Sequence, residues 1–274
     1  MHILVATDGS GNAQAAVDLL AEWSPANREA YPVTVLSVVA DLPLLGSDLE
    51  IPESALNPEA SSHRETEIAE QLVDSVCRSL SGAGYQATPQ VRAGKPADEV
   101  LACAGEIGAD IIILGIQGIG RVRRLVAGSV ATRVARLATV PVLLADQPAS
   151  LSPMLIAVDG SSSSERVITT VLGLPPGTVE HTTLLHVTSE DVDPGSLHPS
   201  LSVGAELLEI GGIPTSQIAS MGNEVDQILR IAESVGARAI AMGASTRKAD
   251  GEPILGSTVN GVIGREPCTI LIAR

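Results

Sequence analysis

Gly115, Gly118, Gly128 and Ser129 stand in the spacing Gly-x2-Gly-x9-Gly-Ser. The run Ile111-Ile112-Ile113-Leu114 leads into them, and Val130, Val134 and Leu137 follow at helical spacing. The chemistry this suits is the holding of an anion. Glycine carries no Cβ, takes positive φ readily and lets a ligand reach the main chain. Ser129 can cap the helix that starts at Val130. The free N–H groups and positive end of such a helix favour a phosphate. Arg121, Arg123 and Arg124 bring three of the chain's 17 basic residues into the same loop, so a contact from Arg121 to a phosphate tail is expected.

Other anion motifs fail on their own terms. Gly94-Lys95 is followed by Pro96 and has no glycine five residues before it, which excludes a P-loop. Gly118-Ile119-Gly120 meets Arg123 where a dinucleotide fingerprint needs its third glycine. His2, His63, His181, His186 and His198 have no metal-ligand spacing, and Ser161 to Ser164 and Ser61-Ser62 read as helix starts that make no case for a triad. Cys77, Cys103 and Cys268 are far apart and odd in number, as expected of buried thiols in a reducing cytoplasm.

The elements that must position the loop alternate in type. Ile3 to Thr7 reads as a strand ended by Asp8-Gly9-Ser10, then a helix from Gly11 to Trp23 with Ala16, Leu19, Leu20 and Trp23 on one face. Pro32 to Val39 is the next strand, and Ile68, Leu72, Val76 and Leu80 mark the apolar row of a long helix. Gln86 to Val91 is a third strand, and Pro96 opens a helix through Ile107. Ile111 to Leu114 has four apolar residues without alternation, the pattern of a strand covered on both faces. Val140 to Ala145 is the fifth strand. Strands alternating with crossover helices imply a parallel α/β sheet. Hydrophobic residues make up 45% of the chain but aromatics 1%, so Val, Ile, Leu and Ala must fill the layers. A net charge of −15 argues against nucleic acid and anionic membrane as partners. No apolar run approaches the roughly 18 residues of a membrane span; a cytoplasmic location is expected.

At 274 residues the chain has room for two domains. Beyond the linker-like Gln147 to Pro153 the pattern restarts, with Leu155 to Ser161 repeating Leu4 to Ser10 and Asp159 lying 151 positions after Asp8. Gly115 and Gly243, Gly128 and Gly256, Ser129 and Ser257, and the terminal strands all keep an offset of 128. The expected division is 1–147 and 153–274, with the shortening of the second copy falling in the Asp41–Ser62 loop and the long helix after it.

With Ala6-Thr7-Asp8-Gly9-Ser10 at the start and Val140-Pro141-Val142-Leu143-Leu144 at the end, this glycine spacing resembles the ATP-binding members of the universal stress protein family. The resemblance covers nearly the whole chain as two copies. It implies two tandem five-stranded parallel sheets of order 3-2-1-4-5 flanked by helices, of the adenine-nucleotide α-hydrolase-like kind. It implies that Asp8, Val38, Leu114 and Gly115 border adenine and ribose. Gly118, Gly128, Ser129 and Val130 would then bring N–H groups and a hydroxyl to the phosphates of ATP, with Mg2+ arriving on the nucleotide. It also implies that the last strands pair, either between the two copies within the chain or across a homodimer.

The second copy keeps Asp159, Gly243, Gly256 and Ser257, but Thr246 stands in place of Gly118. Nucleotide is therefore expected mainly in the first domain, as a regulatory or sensing event with at most slow hydrolysis. Two rivals are a nucleotide-free interaction scaffold and an adenylating enzyme. The latter needs a Ser-Gly-Gly-x-Asp-Ser loop that Thr7-Asp8-Gly9-Ser10 does not match.

Overall fold

In the computed structural model of the protein, residues 1–23, 27–40, 58–116, 130–188, 199–244, 247–249, 252–265 and 268–274 are described. The first half runs β1 (Ile3–Ala6), α1 (Gly11–Glu22), β2 (Val33–Ala40), α2 (Pro58–Gly82), β3 (Ala87–Gly94), α3 (Pro96–Ile107), β4 (Ile111–Gly115), α4 (Val130–Leu137) and β5 (Val142–Ala145). The second runs β6 (Met154–Val158), α5 (Ser162–Leu172), β7 (Thr182–Thr188), α6 (Pro199–Ile210), β8 (Thr215–Met221), α7 (Glu224–Ser234) and β9 (Ala239–Gly243). A short hairpin of β10 (Arg247–Ala249) and β11 (Glu252–Ile254) follows, then α8 (Ser257–Ile263) and β12 (Thr269–Ala273). Part of the second copy's shortening lies in its second helix, 12 residues in α6 against 25 in α2.

The strands form one ten-stranded sheet in the order β3-β2-β1-β4-β5-β12-β9-β6-β7-β8. Each half has the expected 3-2-1-4-5 order, with parallel pairing throughout. The halves join antiparallel at their last strands, Val142 opposite Ile272, Leu143 opposite Leu271 and Leu144 opposite Ile270. The pairing of last strands is thus made inside the chain. Both hydrogen-bonding edges of β5 and of β12 are occupied, so neither is left for a second copy.

Alternation across the pleat divides the apolar runs between two cores. Ile3, Val5, Ile111, Ile113, Leu143 and Leu271 face the layer of α1, α2, α5 and α6. Leu4, Ile112, Leu114, Val142, Leu144 and Ile270 face α3, α4, α7 and α8. Each core crosses the seam between the halves. This is why Ile111 to Leu114 shows no alternation: both of its faces are inside.

One expected helix face is corrected. In α2, Val76 and Leu80 are buried, but Ile68 is 57% exposed, and Ala69 and Val73 take the inward positions. A row spaced by four drifts about 40° per step around a helix of 3.6 residues per turn, so it cannot keep to one face over three steps. Ala16, Leu19 and Leu20 in α1, and Trp23 at its C-cap, are all buried as expected. Ser10 is the N-cap of α1, and Pro96 is the first residue of α3. None of the three cysteines is in a disulfide, and burial, with Asp74 nearby, pushes the Cys77 thiol up to about 11. Among the described residues no helix is long and apolar enough to cross a membrane.

Candidate functional site

The first half winds outward in both directions from β1, and a crevice opens at the carboxyl ends of β1 and β4, where such a sheet takes its ligands. A cleft of about 170 Å³ occupies that place, with Asp8, Val38, Leu114, Gly115 and Val130 among its walls. Five residues named from the sequence are therefore brought together. Gly118, Arg121, Gly128 and Ser129, with Arg123 and Arg124, lie outside the described residues.

The turn after β1 sets the geometry of the cleft. Gly9 has φ 75°, a conformation that residues with a Cβ rarely adopt. That turn lets Asp8 Oδ1 accept from the Ser10 N–H at 2.9 Å, while Ser10 Oγ accepts from the Ala13 N–H at 3.2 Å and caps α1. Asp8 thus supports the turn and still presents an exposed carboxylate to the cleft. It is the only titratable side chain among the described residues lining it. Leu36, Val38, Val100 and Leu114 supply apolar surface, and the small Ala13 stands beside Asp8.

Gly115 lines the cleft and has a packing role as well. Its φ is not positive. A Cβ there would lie 2.0 Å from the Asn12 carbonyl oxygen and 2.7 Å from the Ala13 nitrogen. The missing side chain admits the first turn of α1 against the end of β4, and the ligand wall is built on that packing. Gly243 does the same in the second half, where a Cβ would come within 2.5 Å of Ser163 Cβ.

Helix α4 begins at Val130, and Val130 and Ala131 form the cleft's far rim. The helix is tied from two sides. Arg133 pairs with Asp98 of α3 at 2.8 Å, and Arg274 at the end of the second half donates to the Ala135 carbonyl. The β11 strand of the second half also lies against α4.

A second cleft, of about 90 Å³, stands at the equivalent place in the other half. Asp159 and Gly243 line it, and Gly256 and Ser257 start α8 without lining it. Here Asp159 Oδ1 accepts from the Ser161 N–H at 2.9 Å and from the Ser164 hydroxyl at 2.7 Å. Partial burial pushes the Asp159 carboxyl up, but these hydrogen bonds outweigh it and hold it below the usual carboxylate value. Among the described residues no group of three or more His, Cys, Asp or Glu could hold a metal ion.

The sequence reading passed over Asn12, Ala13, Pro96, Val100 and Ala131, which all line the first cleft. Ser163, Ser164, Glu224 and Ile228, which keep the offsets of Asn12, Ala13, Pro96 and Val100, line the second, but none of the four matches its counterpart in residue type, so the repeat did not mark them.

The profile of the universal stress protein family matches residues 1–146 and again 151–274. Over 145 residues, 52% of this chain and 96% of the relative, the sequence is 29% identical to the universal stress protein YxiE of Bacillus subtilis (strain 168). The crystal structure of a universal stress protein from Archaeoglobus fulgidus DSM 4304 superposes with a TM-score of 0.75 at 23% identity, covering 100% of this chain and 96% of that one. A functionally unknown protein, PA1789 of Pseudomonas aeruginosa PAO1, superposes with a TM-score of 0.62 at 16% identity, covering 99% and 92%. At these identities both structures speak for the fold alone.

Proposed function

Because the chain belongs to the universal stress protein family, we propose that its first half binds an adenine nucleotide, ATP with its Mg2+, in a regulatory or sensing role. The observation that carries this reading is the Asp8 carboxylate, facing an apolar slot at the sheet's switch point with, among the described residues, one protein donor on it. A carboxylate so placed can accept two ribose hydroxyls while the ring lies between Val38, Leu36 and Leu114. The phosphates would then run past Gly115 towards the first turn of α4, where its N–H groups point outward. Gly118, Gly128, Ser129 and Arg121 are assigned to the phosphates on their spacing alone. The metal would come with the nucleotide, since one carboxylate is no cage for it.

Asp8 is poorly placed as a base for hydrolysis, being assigned to the sugar end of the ligand. Turnover is therefore slow or absent, and the protein acts through its bound and free states. The expected result for Asp8→Asn is a loss of ATP affinity of about ten- to a hundredfold, the worth of charge-assisted hydrogen bonds. Asparagine still accepts from the Ser10 N–H, so the unfolding midpoint stays within a few degrees. Calorimetric titration measures the loss, and unchanged affinity would remove Asp8 from the site.

A further inference from the structure

We propose that Glu224 and Ser164 close the second cleft to nucleotide, so that each chain takes up one nucleotide, in its first half. The inference rests on the reading of the first cleft as a nucleotide site. It starts from the two clefts being built from equivalent positions on equivalent strands. A shared scaffold with different side chains isolates what those side chains do.

Of the exchanges between the two clefts, three bear on closure: Ala13 of the first becomes Ser164, Pro96 becomes Glu224, and, beside the second cleft, Val130 becomes Thr258. The Ser164 hydroxyl accepts from the Asp159 N–H at 2.8 Å and donates to Asp159 Oδ1 at 2.7 Å, so it holds Asp159 back against α5. The carboxylate that is open in Asp8 is thereby already engaged by protein. At the edge of the cleft the Thr258 hydroxyl donates to the lining Glu224 at Oε2, joining the first turn of α8 to the first residue of α7. The equivalent gap in the first half is flanked by Pro96 and Val130, which form no such bridge. The bridged cleft is about half the size of the open one.

Glu224 also sets the charge. It lines the second cleft on the side of α8, the side on which the first cleft is expected to hold phosphates. A carboxylate fixed there repels a polyphosphate, whereas Pro96 leaves the approach neutral. Proline and glutamate are both well suited to the first turn of a helix, so the exchange does not alter α3 or α7 as helices. What it alters is the ligand that can enter.

The test moves the closing residues into the first half of the full-length chain and titrates with Mg-ATP in a calorimeter. Wild type should take up one equivalent. Ala13→Ser with Pro96→Glu and Val130→Thr should bind at least tenfold more weakly, with an unfolding midpoint within a few degrees of wild type. Pro96→Gln in the same background should recover at least threefold of that loss, because glutamine fills the space without the charge. Should the triple variant unfold, Pro96→Glu alone should still weaken binding at least threefold. Two equivalents in wild type, wild-type affinity in the folded Pro96→Glu variants, or equal losses with glutamate and glutamine would each overturn the inference and leave the first site standing. No uptake by wild type would overturn the reading of the first cleft and the inference with it.

Discussion

Leu143→Asp is expected to be among the most destabilising substitutions in the chain, removing a large share of its stability at room temperature. Leu143 is 0% exposed on β5 and sits opposite Leu271, also 0% exposed, in the antiparallel register that joins the halves. A carboxylate at this point would enter an apolar cluster drawn from both halves. Burying a charge without a partner costs about 3–5 kcal/mol, a large share of the roughly 5–15 kcal/mol that holds a folded protein together. Leu271→Ala, which removes volume without adding charge, should cost about 2–5 kcal/mol. Urea unfolding checks both variants. It should also find one transition in wild type, with Trp23 fluorescence from the first half and circular dichroism from the whole chain coinciding. Each core spans the seam, so neither half can lose it without the other. Two separated transitions, or a Leu143→Asp protein as stable as wild type, would mean the halves are independent bodies.

Gly115→Ala should be the most damaging single methyl group in the first half. The added Cβ would meet the Asn12 carbonyl oxygen at 2.0 Å, and the contact is with backbone, which cannot rotate aside. Relief requires the start of α1 to lift from β4 by more than an ångström. Overpacking of this kind costs about 3 kcal/mol, or roughly 6–12 °C in midpoint for a chain of this size. Gly243→Ala should behave alike, with Ser163 Cβ at 2.5 Å and its carbonyl oxygen at 2.7 Å. Thermal unfolding decides between this packing role and a role confined to ligand binding. Loss of ligand affinity without loss of midpoint would contradict the packing account.

The architecture was legible because it depends on pattern alone. A constant offset between copies of Gly115, Gly128 and the terminal strands requires the same fold twice, and doubly buried strands announce themselves as runs without alternation. The pairing of Val142 to Leu144 with Ile270 to Ile272 was expected from the resemblance and is found residue for residue. The misreadings came from distance in sequence or drift in angle. Asn12 and Gly115 are about a hundred residues apart, so nothing local marked Gly115 as a packing glycine. Ile68 was placed inward by a spacing of four that turns too far over three steps.

The candidate site was less legible than the fold. Glycine spacing pointed to Leu114, Gly115 and Val130, but Ala13, Pro96 and Val100 carry no motif and become visible only when β1, β4 and α3 are brought together. The same holds for the difference between the clefts. Thr246 in place of Gly118 is plain in the sequence, whereas the bonds of Ser164 to Asp159 and of Thr258 to Glu224 depend on where three helices start.

The measurement that tests the account most directly is titration of the dialysed, intact protein with Mg-ATP beside Gly118→Thr, which copies the second half's residue into the first. The account predicts uptake of one ATP per chain by wild type and an affinity at least tenfold lower in Gly118→Thr, with the fold kept. Failure of wild type to bind ATP, or equal binding by the two proteins, would contradict it.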